Sequence, residues 1–332
     1  MTEKKKFLSD LGEFGCIRRI SHDLIYRPEL VRIGPGDDGA VYVCPAGCDE
    51  VISTDTMVEG IHFTAQTLSA ADVGYKLCTA NFSDMAAMGA EPTGFVVSAA
   101  LPEKLPLEWL DCCYEGIRMM CRRYRVNILG GDMTGSRQGV MLTGTVIGAV
   151  PRKQAVTRGG SQRGDWIGVT GSLGDSAAGL EAILEGLEGY PRIREIHRRP
   201  EPQVEAGRLL RCGGASSMDD VSDGLSGELA DMAEASGRAM VIRRDAVPLS
   251  DEVRRLAAET GKDPLTFAFN GGEDYQLVFT ISPDRWAALT LPVPAVIIGQ
   301  VEDRGRTGVW LSDRQGETEI RRGSYDHFRK SL

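Results

Sequence analysis

The sequence predicts a two-domain protein of the α/β (α+β) class, and three observations carry that prediction. The chain has 332 residues, more than a single hydrophobic core usually serves. Short apolar runs of strand type alternate with longer runs of helical period in both halves. Between the halves, Pro151–Gly164 reads PRKQAVTRGGSQRG, a polar, glycine-rich stretch that marks a boundary. The domains are therefore expected over residues 1–150 and 151–332.

In chain order, a strand is expected at Glu50–Ser53 and a helix from about Ala70 to Met88. A strand at Thr93–Leu101 follows. The clearest helix runs from Leu107 to Arg125, where Leu107, Leu110, Cys113, Tyr114, Ile117, Met120, Cys121 and Tyr124 recur at spacings of three and four. Glu108 and Asp111 sit in its first turn and Arg122, Arg123 and Arg125 in its last, as the helix dipole favours. Strands at Val126–Leu129 and Val140–Val150 complete the first half. In the second half, Trp166–Thr170, Leu277–Ile281 and Ala295–Gly299 read as strands, and Asp175–Glu185 and Gly224–Ala235 as helices. NFSDMAAMGA (Asn81–Ala90) and DVSDGLSGELADMAEASG (Asp220–Gly237) share a Ser-Asp pair ahead of an apolar helical pattern, which leaves open an internal duplication or two helix N-caps.

Composition narrows the function. Lys and Arg number 38 against 47 Asp and Glu, a net charge of −9. Nucleic-acid affinity draws mainly on Lys and Arg, so no nucleic-acid partner is expected. Phosphate ligands stay possible if metal ions supply the positive charge. No apolar run is long enough for a membrane span, and the basic MTEKKKFLSDLGEFG start has no apolar signal core behind it. The eight cysteines form no CxxC pair and only four histidines accompany them, so reduced thiols in a cytoplasmic protein are expected rather than a Cys/His zinc site.

The chemistry lies in acids that recur beside glycine turns or strand ends. Asp37 and Asp38 stand in GPGDDGAVY, Asp55 in ISTDTMVEG, Asp84 in NFSDMAAMG and Asp132 in ILGGD. Asp220 and Asp223 stand in MDDVSDG, and Glu273 and Asp274 in FNGGEDYQL. A single such acid fits an ordinary turn or N-cap. A converging set needs cations to offset its repulsion, and carboxylates with the oxygens of Ser53 and Thr54 are hard ligands suited to several Mg²⁺ ions. Mg²⁺ in turn commonly joins protein carboxylates to substrate phosphates. No GxxxxGK[ST] loop occurs, nor a GxGxxG between strand and helix, nor a GxSxG. Arg158 in VTRGG is placed to clamp a polyphosphate or to lie solvated in a loop, and His62 in VEGIHF to meet a phosphate or to pack on Phe63. The reading that remains is metal-assisted phosphoryl transfer, in which positioning and charge neutralisation carry the catalysis and no side chain acts as a nucleophile.

The motifs GPGDDGAVY, ISTDTMVEGIHF, ANFSDMAAMGAEP, ILGGDMTGS, VTGSLGDSAAGL, DDVSDGLSGELADMAEASG, FNGGEDYQLVFT and SYDHF occur in an order that resembles the thiamine-monophosphate kinases, from about residue 12 to 328. The resemblance implies transfer of the γ-phosphoryl of ATP to thiamine monophosphate, with several Mg²⁺ ions and no phosphoenzyme. It implies an N-terminal domain that binds ATP and Mg²⁺ and pairs its sheet across a homodimer, and a C-terminal α/β domain. Carried over by motif, Asp38, Ser53, Thr54, Asp55, Asp84, Asp132, Asp220 and Asp223 are metal ligands. Gly131, Asp132, Arg158 and Ser222 meet ATP, and His62, Glu273 and Tyr325 meet the thiamine phosphate. Asp38 rather than Asp37 takes the ligand role. The chain departs from the family pattern at Pro35, Gly39, Met133 and Gly135, and at Asp219, which adds a charge beside Asp220 where an apolar residue is usual. Two alternatives remain, another ATP-dependent synthetase of the same superfamily and a non-catalytic nucleotide or thiamine-phosphate binder.

Overall fold

The computed structural model describes residues 6–323, so Tyr325 lies outside the described residues. The chain divides into two compact units, with breaks at Phe82/Ser83, Ala90/Glu91 and Lys153/Gln154. Mixed sheet and helix in both units agree with the α/β class.

The first unit comprises α1 (Leu8–Ile20), β1 (Val31–Ile33), β2 (Val41–Tyr42), β3 (Cys48–Val58), most of α2 (Ala70–Ala87), β4 (Glu91–Pro102), α3 (Leu107–Tyr124), β5 (Asn127–Ser136) and β6 (Met141–Pro151). Its four-stranded sheet has the order β3-β6-β4-β5, with β4 and β5 parallel and the other pairs antiparallel. Helices α2 and α3 cross closely because each offers a glycine. A Cβ at Gly74 would lie 1.9 Å from the Cys113 carbonyl oxygen, and one at Gly116 2.0 Å from that of Ala71. One face of the sheet, including Phe95, Val97, Ala99 and Leu101, is buried. The other presents Ile52 (62% exposed), Thr54, Thr56, Ser98 and Asp132 to solvent.

Two strands run further than their sequence suggested. ISTDTM belongs to the middle of the eleven-residue β3, so Asp55 does not follow a strand end. Its residues alternate between half-buried Ser53 and Asp55 and exposed Thr54 and Thr56, the period of two that one covered face imposes. ILGGD likewise lies within β5. Gly130 sits beside a bulge with φ +148°, and a Cβ on Gly131 would fall 1.8 Å from the Val97 carbonyl oxygen. The glycines that read as a turn are the means by which the strand continues.

The second unit holds the last turn of α2, β7 (Trp166–Thr170), α4 (Asp175–Leu184), α5 (Pro191–Arg198), α6 (Val204–Gly213), β8 (Ser217–Asp220), α7 (Leu225–Ser236), β9 (Ala239–Arg243), α8 (Asp251–Thr260), α9 (Leu265–Asn270), β10 (Leu277–Ile281), α10 (Pro283–Ala287), β11 (Ala295–Glu302), β12 (Gly308–Asp313) and β13 (Gly316–Ile320). Its seven-stranded sheet has the order β13-β12-β9-β11-β7-β10-β8. One core packs α7 and α9 on the sheet through Leu225, Leu229, Met232, Phe269 and Val278, and a second joins α4, α5 and α8 through Ala178, Ile193 and Leu256. β8 is an edge strand whose four residues, Ser217, Met218, Asp219 and Asp220, are all buried, a costly place for two carboxyl groups. Ser83-Asp84 lies in the last turn of α2, whereas Ser222-Asp223 lies in the loop between β8 and α7, so neither pair is an N-cap and the two do not share a setting.

Candidate metal and phosphate site

In the first unit, Asp38 is exposed, and its backbone N–H donates to Asp37 Oδ1 at 2.9 Å, so Asp37 shapes the turn. Gly36 before them has φ +124°, a conformation that side chains other than glycine rarely adopt. Ser53 and Asp55 share the half-buried face of β3 with Met57, while Thr54 is on the opposite face, where its hydroxyl donates to the Gly144 carbonyl at 2.8 Å. Thr54 can therefore offer a metal its carbonyl more readily than its side chain. His62 lies in the turn after β3 and its Nδ1 accepts the Val58 N–H at 3.0 Å, which leaves the neutral ring's proton on Nε2.

Asp132 pairs with Ser98, which pairs with Thr143, which pairs with Thr56, a row on the exposed face. Asp55 belongs to the neighbouring row with Gly144, Val97 and Gly131, on the other face. β3 and β5 are the two edges of the sheet. Asp55 and Asp132 of one chain are thus three strand spacings apart, roughly 14 Å, and on opposite faces. They cannot share one ion.

In the second unit the predicted residues gather at the end of β8. Ser83 donates its hydroxyl to Asp220 Oδ2 at 2.6 Å. Burial, followed by the charges of Asp84 and Asp219, pushes the Asp220 carboxyl well above the usual range. Asp219 takes a different partner, with Arg158 Nε donating to its Oδ2 at 2.6 Å. Burial raises Asp219 to about 6 although Arg158 pulls the other way. Glu228 on α7 accepts the Asp223 N–H at 3.0 Å, and burial with the charge of Asp219 raises it to about 8. This is an acid cluster with one nearby guanidinium, a setting that a divalent cation would relieve.

The Arg158 segment runs against β8 and the end of α7. Ser217 and Ser236 donate to the Arg158 carbonyl at 2.7 and 3.3 Å, and Thr157 accepts the Met218 N–H at 3.2 Å. Its glycines serve this close approach, since a Cβ on Gly160 would lie 1.9 Å from the Ser216 carbonyl oxygen. The GGED loop closes against the same strand end. Glu273 N–H donates to Ser222 O at 2.7 Å and Tyr275 N–H to Val221 O at 2.9 Å. Glu273 and Tyr275 hold φ of +65° and +50°, conformations that cost side-chain-bearing residues energy and cluster at functional sites. Between them Asp274 is buried and accepts the N–H groups of Gly174 (2.5 Å) and Ser176 (2.9 Å) at the start of α4. Ser176 also meets His197 Nδ1 at 3.1 Å, and that ring lies 3.9 Å from Glu273 Oε2.

Glu228, Ser83, His197 and the clamp of Asp274 are parts of the arrangement that motif reading left out. One signal was present for Glu228, an acid on the apolar stripe of Leu225, Leu229 and Met232. Among the described residues, no group of three His, Cys, Asp or Glu is placed to hold a metal ion. Mg²⁺ commonly takes one or two carboxylates and fills its shell with water and substrate phosphate. The all-oxygen donors fit the same ion.

The two units are those of an AIR synthase related protein. The N-terminal domain of that class matches residues 36–150 and its C-terminal domain residues 162–312. Within the class, the chain belongs to the thiamine-monophosphate kinase family, a family of phosphotransferases. It is 34% identical over 332 residues to the thiamine-monophosphate kinase of Bacillus subtilis strain 168, covering 96% of this chain and 100% of that one. It is similar to the crystal structure of the Stenotrophomonas maltophilia K279a enzyme, with 33% identity, a TM-score of 0.80, and coverage of 91% and 96%. It is also similar to AaThiL complexed with AMPPCP and TMP, with 30% identity, a TM-score of 0.78, and coverage of 98% and 100%. No helix among the described residues is long and apolar enough to cross a membrane.

Proposed function

We propose that this chain transfers the γ-phosphoryl group of ATP to the phosphate of thiamine monophosphate, giving thiamine diphosphate and ADP. An oxygen of the acceptor phosphate attacks the γ-phosphorus in line, and the bond from that phosphorus to the β-bridging oxygen breaks. The acceptor needs no general base, because a phosphate monoester has a second pKa near 6 and is already largely dianionic at neutral pH. Bound Mg²⁺ would supply charge neutralisation to the phosphates. Asp38, Ser53, Asp55, Asp84, Asp132, Asp220 and Asp223 are the proposed protein ligands of several such ions, with Thr54 contributing its carbonyl and with Asp55 and Asp132 of one chain on different ions. Gly131, Asp132, Arg158 and Ser222 orient ATP; His62 and Glu273 orient the thiamine phosphate, with Tyr325 assigned to it from the motif alone. Residues 1–150 are assigned ATP and Mg²⁺ binding and dimerisation, and residues 151–332 the remaining contacts.

The observation that carries this reading is the buried carboxyl cluster of Asp219, Asp220 and Glu228, with Ser83 on Asp220, on a chain of this family. A homodimer accompanies it. The exposed face of the first unit's sheet carries Ile52 and the row Thr56, Thr143, Ser98 and Asp132, and a second copy seated there would cover it. Incubation of the pure protein with ATP, Mg²⁺ and thiamine monophosphate, with chromatographic detection of thiamine diphosphate, tests the proposal. Absence of product across a range of Mg²⁺ concentrations refutes it.

A further inference from the structure

We infer that Asp219 is a positioning residue that sets the phosphate-facing edge of Arg158 and ties it to Asp220, an inference that rests on the proposed contact between Arg158 and ATP. Asp219 is 2% exposed and receives the Arg158 Nε–H at 2.6 Å. The arginine side chain is half exposed. A guanidinium has two donor edges, and Asp219 occupies the one that includes Nε. Neither Nη donates a hydrogen bond to the described residues, so both are left to offer a phosphate a two-pronged contact.

The other oxygen of Asp219 faces along the strand. Its Oδ1 accepts the Asp220 backbone N–H at 3.1 Å. One carboxyl group therefore holds the proposed phosphate clamp with one oxygen and the backbone of a proposed metal ligand with the other. The Arg158 backbone is fixed separately through Ser217 and Ser236, so loss of Asp219 would free the side chain without releasing its loop. An apolar residue in place of Asp219 could orient neither group.

Four proteins test this: wild type, Asp219→Asn, Arg158→Ala and the double variant. AMPPCP binding is measured by calorimetry with Mg²⁺ present, and KM for ATP and for thiamine monophosphate are measured separately. Asp219→Asn should weaken AMPPCP binding and raise KM for ATP by about tenfold, in line with loss of one charge-assisted contact. KM for thiamine monophosphate and the thermal midpoint should stay near wild type. In the Arg158→Ala background the same change should add no further loss. Arg158→Lys keeps the charge but cannot present two edges at once, so it should resemble Asp219→Asn; this variant also serves if Asp219→Asn fails to fold. Full additivity of the two changes, or wild-type ATP binding by Arg158→Lys, overturns the inference and leaves the ATP contact of Arg158 standing. Unchanged AMPPCP binding by Arg158→Ala overturns that contact itself, and the inference with it.

Discussion

Asp274→Asn isolates one buried carboxyl group by its pH dependence. Burial raises Asp274 from the ordinary value of 3.8 to about 7, against the two backbone N–H groups that favour its charged form. A raised carboxyl pKa means that the folded state holds the proton while the unfolded state loses it. The contribution is fully present below pH 3.8 and is lost as pH rises to about 7. Between pH 5 and pH 7 the loss amounts to roughly 2 kcal/mol. Asparagine does not titrate, but its amide can accept only one of the N–H groups from Gly174 and Ser176. Leaving the other unmet costs about 1–3 kcal/mol at any pH. The variant should therefore be clearly less stable than wild type at pH 5, with the gap narrowing or reversing by roughly 2 kcal/mol at pH 7. Urea unfolding followed by fluorescence reports this, since Trp166, Trp286 and Trp310 all lie in the second unit. A gap that stays constant from pH 5 to pH 7 would refute the assignment of a titrating buried carboxyl at Asp274.

The remaining predictions concern the first unit, the Arg158 loop and assembly. Asp55→Asn should lower turnover by about 100-fold or more with cooperative unfolding retained, whereas Thr54→Val, which alters a side chain on the opposite face, should stay within about threefold of wild type; steady-state kinetics of both variants checks the contrast. Gly160→Ala places a methyl group 1.9 Å from the Ser216 carbonyl oxygen and should destabilise the second unit by about 2 kcal/mol or more, read by urea unfolding. If the proposed dimer forms through the exposed sheet face, Ile52→Asp, which puts a charge there, should shift it to monomer in light scattering, with helix content unchanged by circular dichroism.

Much of the fold was legible because its periodicities are local. The repeat from Leu107 to Tyr124 gives α3 directly, and Trp166–Thr170 and Leu277–Ile281 are read to the residue. β3 and β5 were cut short for a shared reason. Ser, Thr and Asp in STDT, and Gly-Gly-Asp in ILGGD, have turn chemistry, yet here the first is the polar alternation of an edge strand and the second a bulge packed on β4. The acids themselves were legible as motifs, and the end of β8 gathers Asp84, Arg158, Asp220, Ser222, Asp223 and Glu273. What the motifs could not reveal is pairing at long range. Arg158 and Asp219 are 61 residues apart, and Asp274 reaches back 100 residues to Gly174. Nor could they show that Thr54 and Asp55 take opposite faces, because that follows from which side of β3 the rest of the unit covers.

The central claim is the choice of phosphoryl acceptor, and a side-by-side acceptor assay tests it most directly. Pure protein with ATP and Mg²⁺ is offered thiamine monophosphate in one reaction and aminoimidazole precursors in another, with ADP and phosphorylated products quantified in each. The account predicts thiamine diphosphate and ADP in equal amounts from the first reaction and no ATP consumption above background in the second. ATP turnover with the aminoimidazole precursors and none with thiamine monophosphate would contradict it.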